Sequence, residues 1–227
     1  MKFLLTNPKI DQQIAEIKRK IRLSMNGITS ESMESGGIVY KQNFGVSIPR
    51  LREIAREYSP DHDLAQRLWM LKIRETMILA TLLEEPEKFK PENARYWLCE
   101  IDQIEMVEQC VMNIFIKTDF AADMISENIA SEKLWPKVTA FMMAARLYDK
   151  IPQALCDSII QKAIAYSNSD EYHLYKSMAL CLGRFCRRNK ETATTISQLM
   201  TESFVDKNNA QRYIAEEVRQ EIIFLND

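Results

Sequence analysis

The side chain best placed for chemistry is Glu108, in IDQIEMVEQCVMNIFIK from Ile101 to Lys117. Ile104, Val107, Val111, Met112 and Phe115 recur at i, i+3, i+7, i+8 and i+11, the spacing of an apolar stripe on a helix, and Glu108 takes the i+4 position inside it. A carboxylate in an apolar stripe must be paired, line a wet cavity or carry a raised pKa. Two readings stay open: an edge or salt-bridged acid, and an acid that does chemistry.

A second set lies in the helical pattern that follows Glu171. Tyr172, Tyr175, Met178, Ala179, Leu182 and Phe185 share one side, while Lys176, Gly183, Arg184 and Arg187 share another, with Arg188 and Lys190 just beyond. Cations at that spacing can follow a phosphate backbone, each neutralising a phosphate, and Gly183 would leave room for a close approach. The alternative is a solvated face with cations favourably placed at a helix C-terminus. Lys41, Arg50, Arg52, Arg56, Lys133 and Lys137 are further cations that would extend a track.

The elements that must position these residues are helices. Five Gly and seven Pro in 227 residues, against abundant Leu, Ile, Ala, Met, Glu, Lys and Arg, favour helix over a turn-rich β fold. Residues 9–23 form an amphipathic pattern on Ile10, Ile14, Ile17 and Ile21. Residues 24–37 are the most loop-like stretch, with room for a short helix before Gly36-Gly37. Pro49, Pro91, Pro136 and Pro152 stand where first-turn prolines stand, and Asp61, Asp119 or Thr118, Ser131, and Ser169-Asp170 are the expected N-caps. Successive antiparallel pairs recur every 30 to 40 residues or so, as in helical-repeat arrays, although no strong residue-level repeat accompanies them. The expectation is an all-α protein, one domain over 1–227, built as a curved right-handed array of antiparallel helix pairs with a long concave face.

Composition excludes several classes. A net charge of -2 gives no global case for nucleic acid, so such a surface would be a local basic patch balanced by acid elsewhere. Cys99, Cys110, Cys156, Cys181 and Cys186 are odd in number and contain no C-x-x-C pair, and His62 and His173 form no metal motif. Reduced thiols, no metal, no cofactor and a cytoplasmic location are expected. No apolar run approaches the roughly 18 residues of a membrane span, so no membrane partner is expected.

The runs FGVSIPRLREIA, LAQRLW and RETMILATLLEEP, followed by LWPKVTAFMMAARL and YKSMALCLGRFCRRN, resemble in order and spacing the bacterial DNA alkylation repair family. These are the AlkD-like alkylpurine DNA glycosylases of HEAT-like repeats, and the resemblance covers roughly Asn43 to Asn189. It implies base excision repair on double-stranded DNA: release of purines alkylated at a ring nitrogen, such as 3-methyladenine and 7-methylguanine, without drawing the base into a deep pocket. A carboxylate would stabilise the oxocarbenium-like sugar and place a water. Aromatic residues would hold the cationic base, and an arginine would secure the phosphate.

Carried over by position, the family's acid falls on Glu108, and the tryptophan four residues before it falls on Ile104. The arginine three residues after a helix-opening tryptophan falls on Val138, behind Trp135. The second cleft tryptophan falls on Cys181, three residues before the retained Arg184. Arg146 lies about 12 Å along a helix from Val138 and cannot replace that charge directly. Trp97, Tyr172 and Tyr175 are the other aromatics that could wall a cleft.

Three functions follow from these positions. One is a DNA glycosylase using Glu108, with Lys137, Lys176, Arg184, Arg187 and Arg188 on DNA. The second is a non-catalytic DNA-binding member of the family. The third is a HEAT-like protein-interaction scaffold.

Overall fold

The computed structural model describes residues 7–204 and 208–226, and among them every regular element is a helix. The chain divides into two compact units, the first ending at Thr118 and the second beginning at Asp119.

The first unit opens with α1 (Pro8–Leu23), capped by Asn7, whose side chain accepts a hydrogen bond from Ile10 N. Ile10, Ile17 and Ile21 are its buried stripe, as their spacing predicts. The loop-like segment 24–37 contains α2 (Gly27–Ser35), capped by Asn26 and ended at Gly36. No residue of α2 is buried, which is why the segment reads as loop from its sequence. Gly45 returns the chain toward α2 with φ +68, and a Cβ there would stand 2.1 Å from Asn26 O. Only glycine fits that position.

α3 (Ile48–Ala55) starts behind Ser47 with Pro49 in its first turn, and α4 (His62–Met70) is capped by Asp61, both at the expected places. α5 (Arg74–Leu83) is buried on nearly all sides and packs against α3, α4 and α7 (Ile104–Asn113). α6 (Pro91–Cys99) joins this core through Trp97, which stacks on Trp69 of α4 with ring centroids 4.1 Å apart. Phe89 meets Trp97 edge-on and stacks on Phe115, and all four rings are fully buried. A 3-10 turn (Phe115–Lys117) closes the unit.

The second unit is three helix pairs in two layers. α8 (Ala121–Ile129), α10 (Gln153–Ala165) and α12 (Lys190–Ser203) form one layer; α9 (Leu134–Arg146), α11 (Tyr172–Cys186) and α13 (Asn209–Asn226) form the other. Each helix packs on its sequence partner and on the next helix of its own layer, as stacked repeats do. α9 is central, with Val138 to Ala145 all buried.

The caps of this unit start later than their sequence suggests. α8 begins behind Phe120, α9 behind Lys133 and α11 behind Glu171. The hydroxyls of Ser131 and Ser169 accept from the amides of Lys133 and Glu171, two residues on, and so shape the entry turns instead of capping the helices.

Candidate nucleic-acid interface

Glu108 lies in the first unit, on the exposed side of α7. The buried face of that helix runs through Met106, Val107, Cys110 and Val111, while Ile104 and Met112 are only half-buried. The stripe is therefore rotated from the one that sequence spacing suggests, and Glu108 falls outside the core.

The carboxylates that are buried in this unit are others. Glu75 is wholly buried and accepts hydrogen bonds from Phe44 N, Val46 N and the Arg74 guanidinium. Arg74, 3% exposed, also donates two hydrogen bonds to Glu105, at 2.6 and 2.8 Å, and one to Val46 O. Burial pulls the Arg74 pKa down, but Glu105 and Glu75 outweigh it and the net shift is upward. Burial and the Glu105 carboxylate, on which Tyr40 donates, push the Tyr40 phenol up. These ions tie the loop before α3 to α5 and α7.

A second chain of polar contacts links His62, Glu84, Gln66 and Trp97. His62 Nδ1 lies 2.6 Å from Glu84 Oε1, Gln66 donates to Glu84, and Trp97 Nε1 donates to Gln66. Trp97 is thus a core residue held by both stacking and a hydrogen bond, so it walls no cleft.

In the second unit, Val138 and Cys181 are wholly buried. Burial pushes the Cys181 thiol well above its usual range, which makes it an inert core group. The solvent-facing ridge of α11 runs Tyr172, Lys176, Leu180, Arg184, one residue per turn. Leu180 is 42% exposed, and Arg184 makes no side-chain hydrogen bond or ion pair among the described residues. Gly183 is buried, and a Cβ there would meet the Glu221 side chain at 3.8 Å. The element that approaches Gly183 closely is therefore α13.

The remaining cations are partly committed. Arg187 forms an ion pair with Glu221. Arg188 donates to the carbonyls of Tyr148 and Ile151, which anchors the turn after α9. Lys137 lies 5.0 Å from the centre of the Tyr166 ring, and Lys176 lies 4.8 Å from that of Tyr172 and 5.5 Å from that of Tyr213. A hydrogen bond with Tyr172 holds the Lys176 ammonium above its usual pKa, so it stays charged across the physiological range.

Sequence spacing does not show one assembly here. Trp135, His173, Tyr172, Tyr175 and Tyr213 make four consecutive ring contacts with centroids 5.3 to 5.5 Å apart, across α9, α11 and α13. None of the five is buried. Tyr172 and Tyr175 signal themselves by i, i+3 spacing, but His173 and Tyr213 join only through the packing of helices distant in sequence.

These features define an all-α protein of paired, layered helices, the HEAT-like repeat class. The chain belongs to the DNA alkylation repair enzyme family, whose sequence model matches residues 17–216. A solved structure from "a new family of proteins related to the HEAT-like repeat DNA glycosylases with affinity for branched DNA structures" is similar, with a TM-score of 0.76. At 13% identity, over 91% of this chain and 94% of that one, the likeness shows the fold. No curated protein matches the chain. Among the described residues, no helix is long and apolar enough to cross a membrane and no cluster of metal ligands occurs.

Proposed function

We propose that this chain is a DNA-binding member of its family that does not excise alkylated purines, with the layer of α9, α11 and α13 as its DNA face. The observation that carries this reading is the burial of Val138 and Cys181, the positions to which the family pattern assigns an arginine and a cleft tryptophan. A buried valine and a buried thiol offer a substrate neither charge nor a π-face. DNA binding itself rests on the family and on Lys137, Lys176 and Arg184, which remain at the surface of this layer. Arg187 and Arg188 act chiefly within the fold, through Glu221 and the turn carbonyls. Free cysteines throughout fit a reducing, cytoplasmic setting.

Excision by Glu108 is the second reading, favoured by the exposure of that carboxylate on α7. Purine release from N-methylated duplex, followed with duplex binding by fluorescence anisotropy, separates the two. Salt-sensitive binding is expected, with release no faster than in Glu108→Gln. Release by the wild type that is abolished in Glu108→Gln would establish the excision reading instead.

A further inference from the structure

The surface aromatics of the second unit are the assembly that duplex binding leaves unused. Rings that serve only as core are buried, as Trp69, Trp97, Phe89 and Phe115 are in the first unit. The string Trp135, His173, Tyr172, Tyr175, Tyr213 keeps all its rings at least partly open, and Tyr172 is 51% exposed. Tyr172 meets His173 and Tyr175 edge-to-face, at 78° and 80°. Those contacts fix the rings against one another, so a flat ligand would stack on them with little further loss of side-chain freedom.

Charge around the string distinguishes what it can hold. Asp170 and Glu171 are exposed immediately before Tyr172, and Glu217 is exposed beside Tyr213. A phosphate beside Tyr172 would meet the carboxylates of Asp170 and Glu171, and one beside Tyr213 would meet that of Glu217. Lys176 lies over the Tyr172 and Tyr213 rings themselves, and from it the α11 ridge continues to Arg184, about 18 Å along the helix axis from Tyr172. Neutral aromatic groups suit the string and phosphates suit the ridge. A strand whose bases are out of the duplex offers both at once, and every base has a π-face to stack.

We infer that the string from Trp135 to Tyr213 is a stacking platform for unpaired nucleobases, so that the substrate class is DNA with bases displaced from the helix. This inference rests on the DNA-binding reading. It differs from lesion excision, because it needs neither a cationic base nor a catalytic acid.

The test uses a duplex with a single bulged 2-aminopurine, whose fluorescence falls when it stacks, and a fully paired duplex of the same length. The full chain is expected to bind the bulged duplex at least about fivefold more tightly and to quench the probe, the low end of what one base-aromatic stack contributes. Tyr172→Leu should lose quenching and preference together. Tyr172→Phe, which keeps the ring, should retain both, and this pair separates stacking from a general loss of structure. Equal affinity for bulged and paired duplex, or a preference that survives in Tyr172→Leu, overturns the platform while leaving DNA binding intact. Failure of the wild type to bind either duplex at low salt overturns the DNA-binding reading and the platform with it.

Discussion

Two strings of aromatic rings, one in each unit, show how the same residue types are put to different use. Trp69, Trp97, Phe89 and Phe115 are sealed, and the Trp97 indole N–H is satisfied by Gln66. Trp135, His173, Tyr172, Tyr175 and Tyr213 are at the surface, with Lys176 over two of the rings. The charges follow the same division. Arg74, Glu75 and Glu84 are buried among partners in the first unit, whereas Lys176 and Arg184 occupy an open ridge in the second. Burial and pairing separate residues that hold the fold from residues left available to a ligand.

The contrast is broken most forcefully at Trp97. Truncating a wholly buried aromatic removes its transfer free energy and leaves a cavity, so Trp97→Ala should cost about 3 to 5 kcal/mol in denaturant unfolding. Tyr172→Ala, at the surface, should change stability by no more than about 0.5 kcal/mol. A large destabilisation in Tyr172→Ala would mean that the second string is core after all.

A smaller effect sharpens the comparison through His62. The hydrogen bond to Glu84 raises its pKa above 6.5, and partial burial only partly opposes this. A histidine whose pKa is raised on folding adds stability that is complete below its unfolded pKa and is lost as pH rises through the folded value. Stability should therefore decline as pH rises from about 6.5 through the neutral range, and His62→Gln should flatten that decline. Thermal melts across pH 5 to 9 or so would show it, and parallel curves for the two proteins would mean that the ion pair adds no pH-dependent stability.

Much of the fold is legible in the sequence because it rests on local chemistry. Pro49 and Asp61 lie where helices must begin, and the isoleucines of α1 fall on one face by spacing alone. The site is legible only where its residues share a helix. Lys176 and Arg184 can be placed on one ridge of α11, but spacing cannot show that Gly183 is taken by Glu221 or that Arg188 is spent on carbonyls. Glu108 shows the limit of periodicity. A stripe drawn through Ile104 and Met112 encloses it, whereas the buried face, centred on Val107 and Cys110, leaves it outside. Arg74 and Glu75 give no warning either, since an Arg-Glu pair opening an apolar helix reads as its solvated end until the loop at Phe44 to Val46 is seen to close over it.

Binding of DNA phosphates by the open ridge of the second unit is tested most directly by the dependence of duplex affinity on salt, for the wild type and for the Lys176→Ala/Arg184→Ala double variant. Each phosphate that the protein ceases to neutralise should make the slope of log K against log salt shallower by roughly 0.9. The double variant should therefore differ by nearly 2 while remaining folded. An unchanged slope in the double variant, or a wild type that binds no DNA at low salt, would contradict phosphate binding by this ridge.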